Sequence, residues 1–300
     1  MKEPTLGIFA NFFIDNEERL QRMKDSFNSF KKTNPNLWII NIRGSLNHQA
    51  GHFLKKELGE ALHLFYLQSR QGWFCDSKAI LNKIATDYIL FWIEDHILIA
   101  KHDYLKNCIA EMKKFNVEQL WYSWFCHSTK QMSVIDSYKT GNYITAYKLD
   151  SEACIKIRDS ITHDDFYTIS CVSIMRKDFF TKVLLSNKPY LKRWSRHLPF
   201  DFEKKSKDKI LPVICHALPN KELFVSIDDD QGVSGYSLIS RGLYSNRVSK
   251  NSLKKMEFGY SILVKKTLKK KLPKIIFEPL IWLYRHVKRI FYTIDYHWFN

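Results

Sequence analysis

The chain has 300 residues, 45 % of them hydrophobic and 15 % aromatic, with only ten glycines and eight prolines. A chain of that length buries a substantial core in one large domain or two smaller ones, and this composition excludes low-complexity and fibrous classes. Its net charge of +16 is unevenly placed: residues 251–300 hold eleven Lys/Arg against three acids, about half the excess in one sixth of the chain.

The first segment, TLGIFANFF, is an apolar run suited to a buried strand. It ends at IDNEERL, where Asp15 and Glu18 have capping-box spacing and Leu20, Met23, Phe27 and Phe30 then recur at helical intervals. A second strand, LWIINI at 37–42, stops at Arg43-Gly44-Ser45, before a helix near 49–62 and a strand LHLFYL at 62–67. A short helix around 78–85 precedes the run YILFWIEDHILIA at 88–100. There, Glu94, Asp95 and His96 interrupt two apolar stretches, and a charge taken out of water is costly unless paired or bound to a cation. Asp103 starts an amphipathic helix with Leu105, Ile109, Met112 and Phe115 on one face, followed by a strand at 120–125. Residues 126–170 read as polar and loop-rich, 171–184 as a strand entering a helix, and 185–220 as irregular and basic. A last strand, LFVSIDDDQG at 223–232, runs into Asp228-Asp229-Asp230.

Apolar strands alternating with helices predict an α/β fold with a largely parallel sheet, whose strands are buried on both faces. In such sheets ligands bind beyond the carboxyl ends of the strands. Asn11–Phe13, Arg43–Ser45 and Glu94–His96 all fall at such ends. No Gly-x-Ser-x-Gly, His-Glu-x-x-His or Walker lysine loop is present, so hydrolase and NTPase readings lack their motifs.

The order of segments resembles that of GT-A glycosyltransferases, closest to the large inverting family 2. The resemblance rests on GIFANFFIDNEERL, IINIRGS, QGWFCDSKAILNKIATDYILFWIEDH, HDYLKNCI and VSIMRKDFF, and spans about residues 5–235. Two positions depart from the family pattern: Arg43 replaces the usual acid at the end of the second strand, and Glu94-Asp95-His96 replaces Asp-x-Asp, with Ile93 at the first acid position. The resemblance implies a Rossmann-like GT-A catalytic domain over 1–250. It also implies a nucleotide-sugar donor and transfer, with inversion, to a saccharide or polyprenyl-linked acceptor in bacterial surface polysaccharide or lipooligosaccharide synthesis. Donor contacts are then expected from Asn11, Phe12, Arg43, Gly44, Ser45, Lys78, Glu94 and Asp95, with Arg241 and Tyr244 meeting the diphosphate from a closing loop. A Mn²⁺ or Mg²⁺ is expected on Asp95, seconded by Glu94 or His96, to offset charge on the leaving diphosphate. Asp228–Asp230 falls too late in the chain for that first role, and reads as a late metal contact, an acceptor-cleft element or a solvated turn. The general base is expected at Asp201 or Glu203 in LPFDFEKK, with Asp164-Asp165 as the fallback.

In the tail, Leu280, Leu283, Tyr284, Val287, Ile290, Phe291 and Ile294 form an apolar stripe opposite Arg285, Lys288 and Arg289. A basic amphipathic helix of this kind suits an anionic membrane surface, and no apolar run is long enough to span a bilayer. Residues 251–300 therefore read as a membrane-associating segment. Six scattered cysteines without a CxxC pair, and no secretory leader, predict reduced thiols and a cytoplasmic location on the inner face of the membrane. Two other readings stay open: a non-catalytic GT-A scaffold, and a nucleic-acid-binding protein. The clean apolar stripe beside the basic residues favours lipid over nucleic acid.

Overall fold

The computed structural model describes residues 3–68, 73–125, 129, 132–160, 167–169, 171–185, 204–205, 214–228, 237–245 and 279. The described residues up to 245 lie in one compact unit. The predicted base candidates Asp201, Glu203, Asp164 and Asp165, the acids Asp229 and Asp230, and all of the tail except Pro279 lie outside them.

The elements in chain order begin with β1 (Leu6–Phe13), α1 (Glu17–Phe30), β2 (Leu37–Arg43), α2 (Asn47–Leu58), β3 (Leu62–Phe65), α3 (Trp73–Ala79) and β4 (Tyr88–Phe91). Next come β5 (His96–Leu98), α4 (His102–Lys114), β6 (Gln119–Trp121), β7 (Tyr138–Thr140), β8 (Ile144–Leu149) and α5 (Ser151–Ser160). The last are β9 (Tyr167–Ile169), β10 (Ser173–Arg176), α6 (Lys177–Leu185), β11 (Lys204–Lys205), β12 (Ile214–Pro219) and β13 (Phe224–Ser226).

Among the described residues nine strands form one sheet in the order β3-β2-β1-β4-β10-β6-β12-β8-β7. Following the pairings across it, β8 and β10 are reversed and the other seven run the same way. The protein is thus α/β with a mostly parallel central sheet. The apolar runs of β1 and β4 are buried almost throughout, because helices cover both faces of a parallel sheet. Two small sheets stand apart, β9 with β11 and β5 with β13.

The stripe on α1 behaves as its spacing demands, with Leu20, Met23, Phe27 and Phe30 all buried. Its cap differs from the expectation. Asn16, not Asp15, accepts the Arg19 N–H at 2.9 Å, and Glu18 turns away from the backbone to bind Arg22 at 3.0 Å. The centre of the core is aromatic: Trp92 packs on Phe12 at 4.6 Å, Phe30 at 5.2 Å, Trp38 at 5.8 Å and Phe27 at 6.1 Å between ring centroids. Its indole N–H donates to Ser26 Oγ at 2.9 Å.

Two stretches expected to be irregular contain sheet. Residues 138–149 form the β7–β8 hairpin, and residues 214–219 form β12, which is inserted between β6 and β8. The hairpin turn is held from α4. Glu111 Oε1 accepts the Asn142 N–H at 2.8 Å, and Oε2 accepts those of Tyr143 and Ile144 at 2.9 and 3.0 Å. A Cβ on Gly141 would run into that carboxylate, so the close approach requires glycine. Glu111→Ala would leave three N–H groups without their acceptor. It is expected to cost about 1.5–3 kcal/mol, measured as a shift of the urea midpoint at unchanged slope.

Candidate functional site

In the order β2-β1-β4 the carboxyl ends of β1 and β2 are level, with Phe13 in register with Arg43, and β4 ends level with Phe9. Polar side chains tie these ends together. Asn41 Nδ2 donates to Asn11 Oδ1 at 2.9 Å and to the Leu67 carbonyl at 3.0 Å, while its Oδ1 accepts the Leu67 N–H at 2.7 Å. Asn11 Nδ2 donates in turn to Ser77 Oγ on α3 at 3.0 Å. Asn41 and Ser77 were not singled out in the sequence, since each sits inside a segment that reads as ordinary strand or helix.

The loops following β1 and β2 dock on each other. Gly44 has φ +97°, and a Cβ there would collide with the Ile14 carbonyl, so only glycine permits this approach. Ser45 Oγ donates to the Asp15 carbonyl at 3.0 Å. The guanidiniums of Arg19 and Arg43 both lie over the Phe13 ring, at 5.7 and 5.9 Å from its centroid. Lys78 is half-buried on α3. Phe12 needs correction: its ring is 1 % exposed and packed edge-on against Trp92, so it fills the core and offers no face to a donor.

The acid triplet does not end a strand that leads into a helix. After β4 the chain turns through Trp92–Asp95 and enters β5, which pairs antiparallel with β13. Asp95 Oδ1 lies 2.7 Å from His96 Nδ1. Burial pushes the Asp95 pKa up, but the charge and hydrogen bond of His96 and the charge of Arg22 outweigh it and hold the carboxyl below its ordinary range. An ionised Asp95 can only accept, so Nδ1 carries the hydrogen and donates. The other ring nitrogen, Nε2, is buried with no partner among the described residues, and the ring stands edge-on to Tyr122 at 5.8 Å. His96 Nδ1 therefore anchors Asp95. Its backbone is gripped as well: the Ser26 hydroxyl donates to the His96 carbonyl, and Ser29 Oγ accepts the Leu98 N–H at 2.9 Å.

Glu94 behaves in the opposite way. It is buried, and its Oε2 has no partner among the described residues. Burial and then the neighbouring charge of Asp95 push its pKa up to about 7. The sign of the pH effect follows. Below the ordinary carboxylate pKa both folded and unfolded chains hold the proton, and between there and pH 7 only the folded chain does, so stability falls across that window. Glu94→Gln is expected to leave stability unchanged near pH 4 and to raise it by about 1–2 kcal/mol at pH 8. Thermal midpoints of both proteins across that range check this, and parallel pH curves would refute it.

The β5–β13 pairing brings Asp228 to the same place. Ser226 is in register with His96, and the Ile227 N–H donates to the Asp95 carbonyl at 2.7 Å. Asp228 Oδ2 lies 3.7 Å from Arg22 Nη2, and the side chains of Asp95 and Asp228 are 24 % and 31 % exposed. The rest of the expected closing segment is latched down: Arg241 makes a two-pronged pair with Glu222 at 2.7 and 2.8 Å, and Tyr244 donates to Asp25 on α1 at 2.7 Å.

Glu94 is buried and His96 Nδ1 is engaged with Asp95, so the expected set of Glu94, Asp95 and His96 is not gathered around one shared position. Among the described residues no three potential ligands converge on one point. Two partly exposed hard-oxygen carboxylates, Asp95 and Asp228, do fit a Mg²⁺ or Mn²⁺ that takes its remaining ligands from water and phosphate, as such ions commonly do. A shallow depression of about 640 Å³ lined by Ala85–Asp87, Arg176–Asp178, Thr181 and Lys182 lies at the opposite end of β4 and takes no part in this site.

No protein-family model and no curated protein matches the chain. Solved structures do. The mannosyltransferase PcManGT from Pyrobaculum calidifontis, in complex with GDP-Man and Mn²⁺, matches over 40 % of this chain and 35 % of its own at 12 % identity and a TM-score of 0.33. S. aureus TarS 1–349 matches over 74 % and 60 % at 11 % identity and a TM-score of 0.44. The same fragment in complex with UDP matches over 73 % and 59 % at 13 % identity and 0.45. The chain thus spans less than two thirds of each of these proteins, and a likeness at this level is one of fold alone.

Proposed function

We propose that this protein is a GT-A glycosyltransferase that moves a sugar from a nucleotide-sugar donor to a saccharide or lipid-linked saccharide acceptor. The observation that carries the reading is Asp95: an ionised, partly exposed carboxylate beyond the carboxyl ends of parallel strands, where α/β sheets bind their ligands. Arg19 acts on Glu94, and Arg43 stands at the end of β2, one strand beyond β1, so cations lie at this end of the sheet for a diphosphate. Asp95 and Asp228 would hold the divalent cation, with His96 orienting Asp95. When bound, that cation supplies positive charge to the departing diphosphate.

The reading includes an inverting reaction with Asp201 or Glu203 as general base, and a place in surface polysaccharide or lipooligosaccharide synthesis. It also includes attachment of residues 251–300 to the inner face of an anionic membrane. What supports these is the segment order and the tail's composition. No helix among the described residues is long and apolar enough to cross a membrane.

The test is a panel of UDP-, GDP-, CMP- and dTDP-sugars with and without Mn²⁺, read by thermal shift and by sugar transfer or donor hydrolysis. One donor class is expected to raise the midpoint and to turn over. If none binds, and Asp95→Ala changes neither readout, the reading fails.

A further inference from the structure

Asp95 and Asp228 reach the site from distant parts of the sequence, and the charge of one side chain acts on both. Arg22, on α1, is 8 % exposed. Its Nε donates to Glu18 Oε1 at 3.0 Å, one turn earlier on the same helix. Its Nη2 is directed to Asp228 Oδ2 at 3.7 Å. Burial works against its charge, but the hydrogen bond to Glu18 and the charges of Asp95, Glu18 and Asp228 more than restore it. One guanidinium thus serves three carboxylates: Glu18, which is buried, and Asp95 and Asp228, which are partly open.

The same helix face grips the acid turn by three further contacts: Ser26 donates to the His96 carbonyl and accepts from the Trp92 indole, and Ser29 accepts from the Leu98 N–H. Residues 22, 26 and 29 lie on one stripe of the helix, so α1 sets the position of the whole 92–98 segment. Without a cation between them, two carboxylates facing the same solvent would repel and turn apart. A buried Arg, with its planar fork of donors, can hold two acids in one fixed relation where a flexible ammonium cannot.

We propose that Arg22 is a positioning residue that fastens Asp95 and Asp228 together as one acidic pair, and that Asp228 is the second acid of the donor site. The proposal rests on the glycosyl-transfer reading for its kinetic part. Arg22 pairs with Asp228 directly and acts on Asp95 through its charge; removing it lets the two acids separate, lowering turnover more than donor affinity.

The experiment uses the full chain and its Arg22→Lys, Arg22→Gln, Asp228→Asn and Arg22→Gln/Asp228→Asn variants. Three quantities are read: kcat and KM with the donor the panel identifies, the thermal midpoint, and hydrogen exchange in peptides covering 92–98 and 223–228. Arg22→Gln and Asp228→Asn are each expected to lower kcat about tenfold or more with KM changed less than about threefold, the double variant being no worse than the poorer single one. Arg22→Lys is expected to keep the midpoint and lose kcat, and Arg22→Gln to speed exchange in both segments together. Full turnover in Arg22→Lys or Asp228→Asn, or multiplicative losses in the double variant, would overturn the proposal. If the wild-type chain turns over no nucleotide sugar, the donor reading fails by itself. Exchange then still decides the fastening, since unchanged rates in both segments of Arg22→Gln overturn it.

Discussion

Asp95→Asn is expected to lower turnover of the nucleotide sugar by about 100- to 1,000-fold while leaving the protein folded, the range that loss of one preorganised electrostatic contact commonly produces. The amide keeps the shape of the carboxylate, and its oxygen still accepts from His96 Nδ1, so the turn retains its 2.7 Å anchor. What goes is the negative charge, and with it half of the hard-oxygen pair formed with Asp228 and the attraction that Arg22 feels. Steady-state kinetics beside a thermal melt separate the two effects. Wild-type turnover in Asp95→Asn would remove the residue from the chemistry altogether.

Trp92→Ala is the substitution expected to cost most in stability, about 3–5 kcal/mol. The indole touches four other aromatic rings and donates to Ser26, so its loss opens a cavity at a point where neither the sheet nor α1 can close in. A denaturation midpoint checks it, and a loss below about 1 kcal/mol would show that the aromatic cluster repacks. Because Trp92 lies two residues before Glu94, the same variant loosens the acid turn, and activity should fall even under conditions where the chain is folded.

These two residues mark how far the sequence could be read. Apolar runs and helical stripes were enough to find β1, β2, β4, α1, α4 and α6, since each buries a continuous face and its pattern follows from that burial. The β7–β8 hairpin was missed because β7 is exposed along its whole length and carries no apolar alternation. Gly141-Asn142 between two β-rich runs was the available signal. In β12, His216 in the middle and Pro219 at the end disguised a buried strand; the imidazole is fully buried against Trp121 at 4.4 Å, and burial pushes its pKa down to about 3.

At the site, Asp95 was legible from its place after an apolar strand. Asp228 was read as a late metal contact among other roles, but its grouping with Asp95 could not be fixed from sequence, because it depends on β13 pairing with β5, a contact between segments far apart in the chain. Arg22 was hidden for a different reason. On a helical wheel it is a polar residue beside a core stripe, and nothing local tells that it is buried and paired with Glu18 and Asp228 instead of water.

The Asn11–Asn41 pair has a bearing on how the strands find each other. Near-continuous apolar strands such as β1 and β2 hold little information about alignment, since sliding one past the other exchanges one aliphatic contact for another. The two amides change that. Only when Asn11 stands opposite Asn41 do the two amides bond each other, and a slip of a single residue would break that bond inside the core. The polar ladder therefore acts as an alignment mark. It fixes which residues lie level at the strand ends, and so sets Phe13 beside Arg43 at the mouth of the site.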